Sequence, residues 1–313
     1  LDAGDLLFPR LQASLSTNQR NQLTLKANLI IQAFNQMGCD GVAVGDTDLG
    51  LGKTFLLKMA EEANFPFINT NLIDKDTGKP AFKPYVMREL NGLRIGIFAL
   101  ISEDAFDNRK EQALKEFRLE DPYITAEKMV RELRDHTDLI ILLSHLGYQA
   151  DKLFAQKVRG IDIIVGGHTG VPLYNPTVVN ETLILQNSAH GRNVGSIDID
   201  FSTGNASFAN ADIMKSLRET LMTVEKRIRT LEAEEPGKQR RQSLESTLGY
   251  KEMLEKKLKT YGQKNPFRNR IVRLHKGIPS DPDVLALIEG YKRKLANLGQ
   301  ERKSKGCGSK PQT

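Results

Sequence analysis

Short apolar runs bounded by glycine, asparagine and aspartate recur through the first two hundred residues: "DGVAVG" (40–45), "LRIGIFAL" (93–100), "DLIILLSH" (138–145), "IDIIVGGH" (161–168), "TLILQN" (182–187) and "VGSIDIDF" (194–201). Runs this short and this rich in Val, Ile and Leu predict buried strands. Segments near 20–38, 53–63, 124–135 and 149–158 carry helical spacing, so strand and helix alternate, which predicts a parallel or mixed α/β sheet. The last two strands have no helix between them and are expected to add antiparallel pairing. In such sheets ligands collect at the carboxyl ends of strands.

The pattern changes at about residue 210. Leu217, Leu221, Val224, Ile228 and Leu231 follow an alternating spacing of three and four, which places them on one seam of a long helix. Glu235-Pro236-Gly237 breaks it, and a second helix over 238–262 brings Leu244, Leu248, Leu254, Leu258 and Tyr261. The pair predicts an antiparallel hairpin with arms roughly 38 Å long. Ser280-Asp281-Pro282 opens a last helix, with Gly299 expected just past its end. The expected organisation is an α/β domain over 1–209, a helical hairpin over 210–265, a strand and helix extension over 266–300 and a disordered polar tail over 301–313.

A chain of 313 residues with 39% hydrophobic and 27% charged residues has the composition of a globular protein. No apolar run reaches about 18 residues, so no membrane span is expected in this sequence. The chain opens on Leu1, already inside an apolar stretch, and is expected to continue from something longer. Two cysteines, Cys39 and Cys307, are too few for a disulfide scaffold. The net charge of +6 is unevenly spread: from Ala211 onward 24 Lys and Arg face 13 Asp and Glu, so the excess lies on the helical part. Several of these charges stand beside Glu in exposed coiled-coil positions, with no aromatic ladder among them. That argues against nucleic acid and for a solvated face or a protein docking arm.

Two stretches carry candidate chemistry. "GDTDLGLGKT" (45–54) imitates a phosphate-binding loop, but Thr47 stands where that loop needs glycine, and a β-branched residue resists the required backbone angles. The carboxyl ends of separate apolar runs also deliver Asp5, Asp46, Asp48, His145 and His168, each near glycine or serine. Imidazole and carboxylate converging on one rim suit a divalent transition metal; strand-end caps and turns are the alternative. Asp48 reads as a helix N-cap in preference to an acceptor that orients a ligand.

"LDAGDLLF", "MGCDGVAVGDTDLGLG", "FPFINTNLID", "LLSHLG", "GIDIIVGGHTG" and "TLILQNSAHGRNVGSIDIDF" together resemble, in order and approximate spacing, the catalytic domain of 5′-nucleotidases within the calcineurin-like metallophosphoesterases. The resemblance spans about the first 200 residues and implies a sheet sandwich flanked by helices. It also implies a phosphoester hydrolase in which two metals clamp the phosphate and supply a nucleophile near neutral pH. Carried over residue by residue, Asp5 becomes the bridging carboxylate, and Asp46, His145 and His168 complete the second metal position. Asn71 and His190 fall on segments that lie near the substrate in the family.

Three departures alter that expectation. The family's Asn-His pair reads Asp46-Thr47, so the histidine that serves the transition state and leaving group is replaced by Thr47. The closing Gly-His-x-His ends on Gly170 instead of a ligand of the first metal. The Asp-x-His that supplies that metal's other ligands is expected before Leu1. The chain is therefore expected to hold one zinc, manganese or iron ion rather than two. The expected function is a divergent hydrolase acting on nucleotides or related phosphate esters. The alternative is an impaired pseudoenzyme serving as a binding or assembly module through its basic hairpin. By resemblance alone, the expected location is periplasmic or otherwise extracytoplasmic.

Overall fold

The computed structural model describes residues 1–10, 14–202 and 207–306. Its strands are β1 (Val42–Ala43), β2 (Phe67–Ile68), β3 (Leu72–Asp74), β4 (Tyr85–Leu90), β5 (Leu93–Ile101), β6 (Phe117–Leu119), β7 (Leu139–His145), β8 (Ile163–Gly166), β9 (Thr177–Val179), β10 (Thr182–Gln186), β11 (Asn193–Ile199), β12 (Phe208–Asn210) and β13 (Asn265–Arg273). Its α-helices are α1 (Thr17–Met37), α2 (Lys53–Glu62), α3 (Lys110–Ala113), α4 (Pro122–Arg134), α5 (Tyr148–Lys157), α6 (Ala211–Ala233), α7 (Lys238–Tyr261) and α8 (Pro282–Gly306).

The main sheet runs β4-β5-β7-β8-β10-β9, with parallel pairing from β5 to β10 and an antiparallel strand at each edge. Strict alternation along β7 explains how it is covered. Ile140 and Leu142 pack with Met129, Leu133 and Phe154 of α4 and α5, while Leu139, Ile141 and Leu143 pack with Ala43, Ile68, Phe208 and Phe267. The second group belongs to the β1–β2 pair and to a three-stranded sheet, β11-β13-β12. The fold is thus a sheet sandwich with helices on its outer face, as expected from the sequence.

Several expectations need correction. The strand expected over 40–45 is laddered only at Val42–Ala43. The strands at 182–186 and 193–199 do add antiparallel pairing, though not to each other: β10 pairs antiparallel with β9 and parallel with β8, and β11 pairs antiparallel with β13. The apolar pattern does not predict strand β4, because an edge strand exposes Met87, Glu89 and Leu90 and lacks a buried-strand pattern. Gly299 does not end the last helix, which continues to Gly306. A single interior glycine costs only about 1 kcal/mol relative to alanine, and Lys, Arg, Leu and Ala around it favour helix. The rest of the expected tail, 307–313 with Cys307, lies outside the described residues.

Helices α6 and α7 form the expected hairpin. Val224, Ile228 and Leu254 are buried between them, with Leu217, Leu221 and Leu244 partly buried alongside. Leu248 lies outside this seam at 44% exposure. The hairpin is framed by β12 and β13, and β13 returns between β12 and β11. This return places Phe267, 1% exposed, in the core shared with Ile97 and Leu143. Phe267→Ala is expected to lower the unfolding free energy by about 3–5 kcal/mol. In denaturant titrations followed by circular dichroism, it should move the main sheet's transition rather than release the C-terminal segment alone.

Candidate metal centre

Two of the candidate donors come from each side of the sandwich. Asp5 and Asp46 follow the strand-like residues 1–3 and β1, which are bridged by Asp2 and Val42. His145 ends β7, and His168 follows β8 after Gly167. On β7 the alternation turns His145 toward the inner face and Ser144 toward α5, where the Ser144 hydroxyl donates to Asp151. Ser144 and His145 are both fully buried.

Ligand atoms of Asp5, Asp46, His145 and His168 all lie within 4.8 Å of one another. His145 Nε2 is 3.1 Å from Asp46 Oδ1 and 3.4 Å from Asp5 Oδ2, and His168 Nδ1 is 3.6 Å from Asp46 Oδ1. Donors about 2.0–2.2 Å from a four-coordinate metal stand roughly 3.3–3.6 Å apart; the His145–Asp5 and His168–Asp46 distances fall in that range and His145–Asp46 lies just below it. On its other side, His145 Nδ1 lies 2.8 Å from the Ala3 carbonyl, to which it donates. That bond fixes the ring and leaves Nε2 facing the carboxylates, as a metal-binding imidazole requires. His145 and Asp46 are sealed at 0% and 5% side-chain exposure, whereas Asp5 and His168 keep 28% and 29% and form the open edge.

The electrostatics follow from this packing. Burial alone would raise the Asp46 carboxyl, but hydrogen bonds with His145 and His168 outweigh it and hold the group at about 2. Burial alone would lower His145, yet Asp46, Asp5 and the Ala3 carbonyl push it up to about 10. The cluster therefore favours positive charge at its centre.

Backbone geometry is strained where these donors sit. Asp5 and His168 have φ of 61° and 64°, a left-handed conformation uncommon for residues other than glycine. The approach of the two loops also leaves no space for a side chain at Gly45, where a Cβ would lie 2.3 Å from Asp5 Oδ1.

Asp48 corrects the sequence reading. It makes no N-capping bond, since neither the short 3-10 turn at Thr47–Leu51 nor α2 has a side-chain cap. Its Oδ2 instead accepts from the N–H groups of Asp5 (3.0 Å) and Gly45 (2.9 Å), and its Oδ1 from that of Leu7 (2.8 Å). Burial, reinforced by the charge of Asp5, raises its carboxyl to about 7 against the pull of these N–H donors.

The Thr47 hydroxyl is also committed, donating to the Phe8 carbonyl at 2.6 Å, while its N–H holds Asp5 Oδ1 at 2.9 Å. Lys53 pairs with Asp74 and Asp76, so the lysine of the phosphate-loop mimic is occupied. Asn71 does not join the centre: its amide donates to the Ile101 and Glu120 carbonyls and accepts from the Ile101 N–H. Its side chain ties neighbouring strands together. His190 is exposed and left-handed, with φ 66°. Its neighbour Ala189 packs over Gly170, whose added Cβ would lie 2.9 Å from the Ala189 Cβ. Gln186, oriented to accept from the Gly170 (3.1 Å) and Val171 (2.9 Å) N–H groups, fixes that turn. No sequence pattern pointed to Gln186, whose partners Gly170 and Val171 lie on another loop, or to the Ser144–Asp151 pair, which forms only once β7 and α5 pack together.

No family profile matches the chain. Among curated proteins it is similar to the 5′-nucleotidase of Vibrio parahaemolyticus, 27% identical over 214 residues that cover 58% of this chain and 38% of that protein. It is also similar to the uncharacterized metallophosphoesterase YunD of Bacillus subtilis, 30% identical over 179 residues that cover 56% of this chain and 37% of that protein. The chain spans less than two fifths of the length of these relatives. Two solved structures share its fold. The sulfate thiohydrolase SoxB of Thermus thermophilus has a TM-score of 0.65 at 18% identity, covering 95% of this chain and 42% of that one. A 5′-nucleotidase precursor, also of Thermus thermophilus, has a TM-score of 0.64 at 22% identity, covering 96% of this chain and 50% of that one. The curated relatives agree with the family resemblance read from the sequence, and the solved structures agree with the expected fold.

Asp151 supplies a pH test of the scaffold behind His145. Its Oδ2 is buried without a hydrogen-bond partner, and burial raises its carboxyl to about 7. A raised folded value means the proton is held more tightly in the folded state. The associated stability is therefore complete below about pH 4 and is lost as pH rises through about 7. Asp151→Asn should match the wild type in melting temperature near pH 4 and exceed it at pH 8. Melting curves across that range check the difference.

Proposed function

We propose that this chain, a relative of the calcineurin-like metallophosphoesterases of the 5′-nucleotidase type, is a divergent metal-dependent phosphoester hydrolase acting on nucleotides or related phosphate esters. The observation that carries the proposal is the convergence of Asp5, Asp46, His145 and His168 donor atoms within 4.8 Å. These residues would hold one zinc, manganese or iron ion. Such an ion supplies Lewis acidity toward a phosphate oxygen and lowers the pKa of water. Asp5 and His168 line the open edge through which an ester would enter. His190, on the loop adjoining Gly170, is the candidate contact for the rest of the substrate. By kinship with 5′-nucleotidases we assign an extracytoplasmic location; among the described residues no helix is long and apolar enough to cross a membrane.

A second reading rests on a separate observation. Thr47 spends its hydroxyl on the Phe8 carbonyl, so it presents no proton to a leaving group. Asp46 also carries a charge that opposes a phosphate dianion at short range. Loss of a positioned acid costs about 10²–10⁴ in rate, which favours an impaired module that binds and assembles. In that case the hairpin is its docking arm. Met222 and Met253 stand 61% and 53% exposed there, among its basic residues.

Turnover separates the two readings. Phosphate release from p-nitrophenyl phosphate and adenosine monophosphate should depend on added manganese, stop with chelator, and be lost in His168→Ala. Release insensitive to chelator would refute the metal-dependent hydrolase. Absence of release at any manganese concentration would leave the binding module.

A further inference from the structure

We infer that Asp48 is a positioning residue that sets the affinity of the centre for its metal, an inference that rests on the metal-binding reading above. One buried carboxylate gathers three N–H groups from two separate loops: Asp5 and Leu7 on one, Gly45 on the other. Asp5 is itself a donor residue, and Gly45 directly precedes the donor Asp46. The Thr47 N–H closes the circuit by holding Asp5 Oδ1. Asp5 is left-handed, so its backbone must be held from outside to keep that conformation. The two carboxylates that face His145 are thus kept together by hydrogen bonds to a residue that does not touch the metal position.

An asparagine side chain cannot reproduce this arrangement. It offers one acceptor oxygen in place of two, and its NH₂ group would confront N–H donors wherever it was turned. Removal of such an outer partner typically lowers metal affinity by about 10–100-fold. A merely structural role would lower the melting temperature of the metal-free protein without a matching loss of affinity.

The experiment measures Mn²⁺ dissociation constants and metal-free melting temperatures for wild type, Asp48→Asn and Leu133→Ala. Leu133 is buried in α4 against the outer face of the main sheet, away from the centre. Asp48→Asn should bind Mn²⁺ about 10–100-fold more weakly, while Leu133→Ala loses melting temperature but keeps its affinity within about twofold. If Asp48→Asn binds Mn²⁺ like wild type, or no worse than Leu133→Ala at equal thermal cost, the positioning role is wrong and the metal site stands. If wild type itself binds no Mn²⁺, both fall. Should Asp48→Asn fail to fold, hydrogen exchange in the wild type replaces it. The Asp5, Leu7 and Gly45 amides should be protected without metal and slowed further by Mn²⁺; exchange at open-loop rates with Mn²⁺ present would overturn the inference.

Discussion

The contact between Asp46 and His145 joins the two halves of the sandwich at a point where both side chains are buried. Each arrives from a different sheet, and each is held from behind: His145 by the Ala3 carbonyl, Asp46 through the loop that Asp48 anchors. A buried carboxylate and a buried imidazole at this distance need positive charge between or upon them, because an unpaired buried charge costs several kcal/mol. The close approaches at Gly45 and the left-handed backbone at Asp5 and His168 follow from bringing four donors to one point.

The residues around the donors act together. The turn after His168 carries Gly170, with Ala189 packed over it and Gln186 bonded to its backbone. Packing closes that position. Thr47 is drawn into the scaffold, its hydroxyl on Phe8 and its N–H on Asp5. The negative charge of Asp46 strengthens the attraction of the donor set for a cation and weakens it for an anion.

Much of this was legible in the sequence, for physical reasons that differ by element. Strands β5, β7 and β8 announced themselves because burial on both faces leaves an unbroken apolar run, and the residues ending β7 and following β8 then had to lie on the sheet's ligand-collecting edge. Edge strand β4 and the return of β13 between β11 and β12 were not legible, since half-exposed strands lose that signature and partner choice is a long-range matter. The same holds at the centre. Asp5, Asp46, His145 and His168 are conspicuous by residue type, whereas Asp48 and Asn71 do their work through backbone groups tens of residues away. A capping aspartate and an anchoring aspartate look alike until the fold supplies the donors.

The central claim is that one divalent cation belongs at the junction of the two sheets. It is tested most directly by metal stoichiometry: equilibrium dialysis of wild type and His168→Ala against manganese and zinc, followed by elemental analysis of bound ion per chain. The account predicts one ion per wild-type chain and none retained by His168→Ala. Two ions per chain, one ion that survives the substitution, or no ion in the wild type would each contradict it.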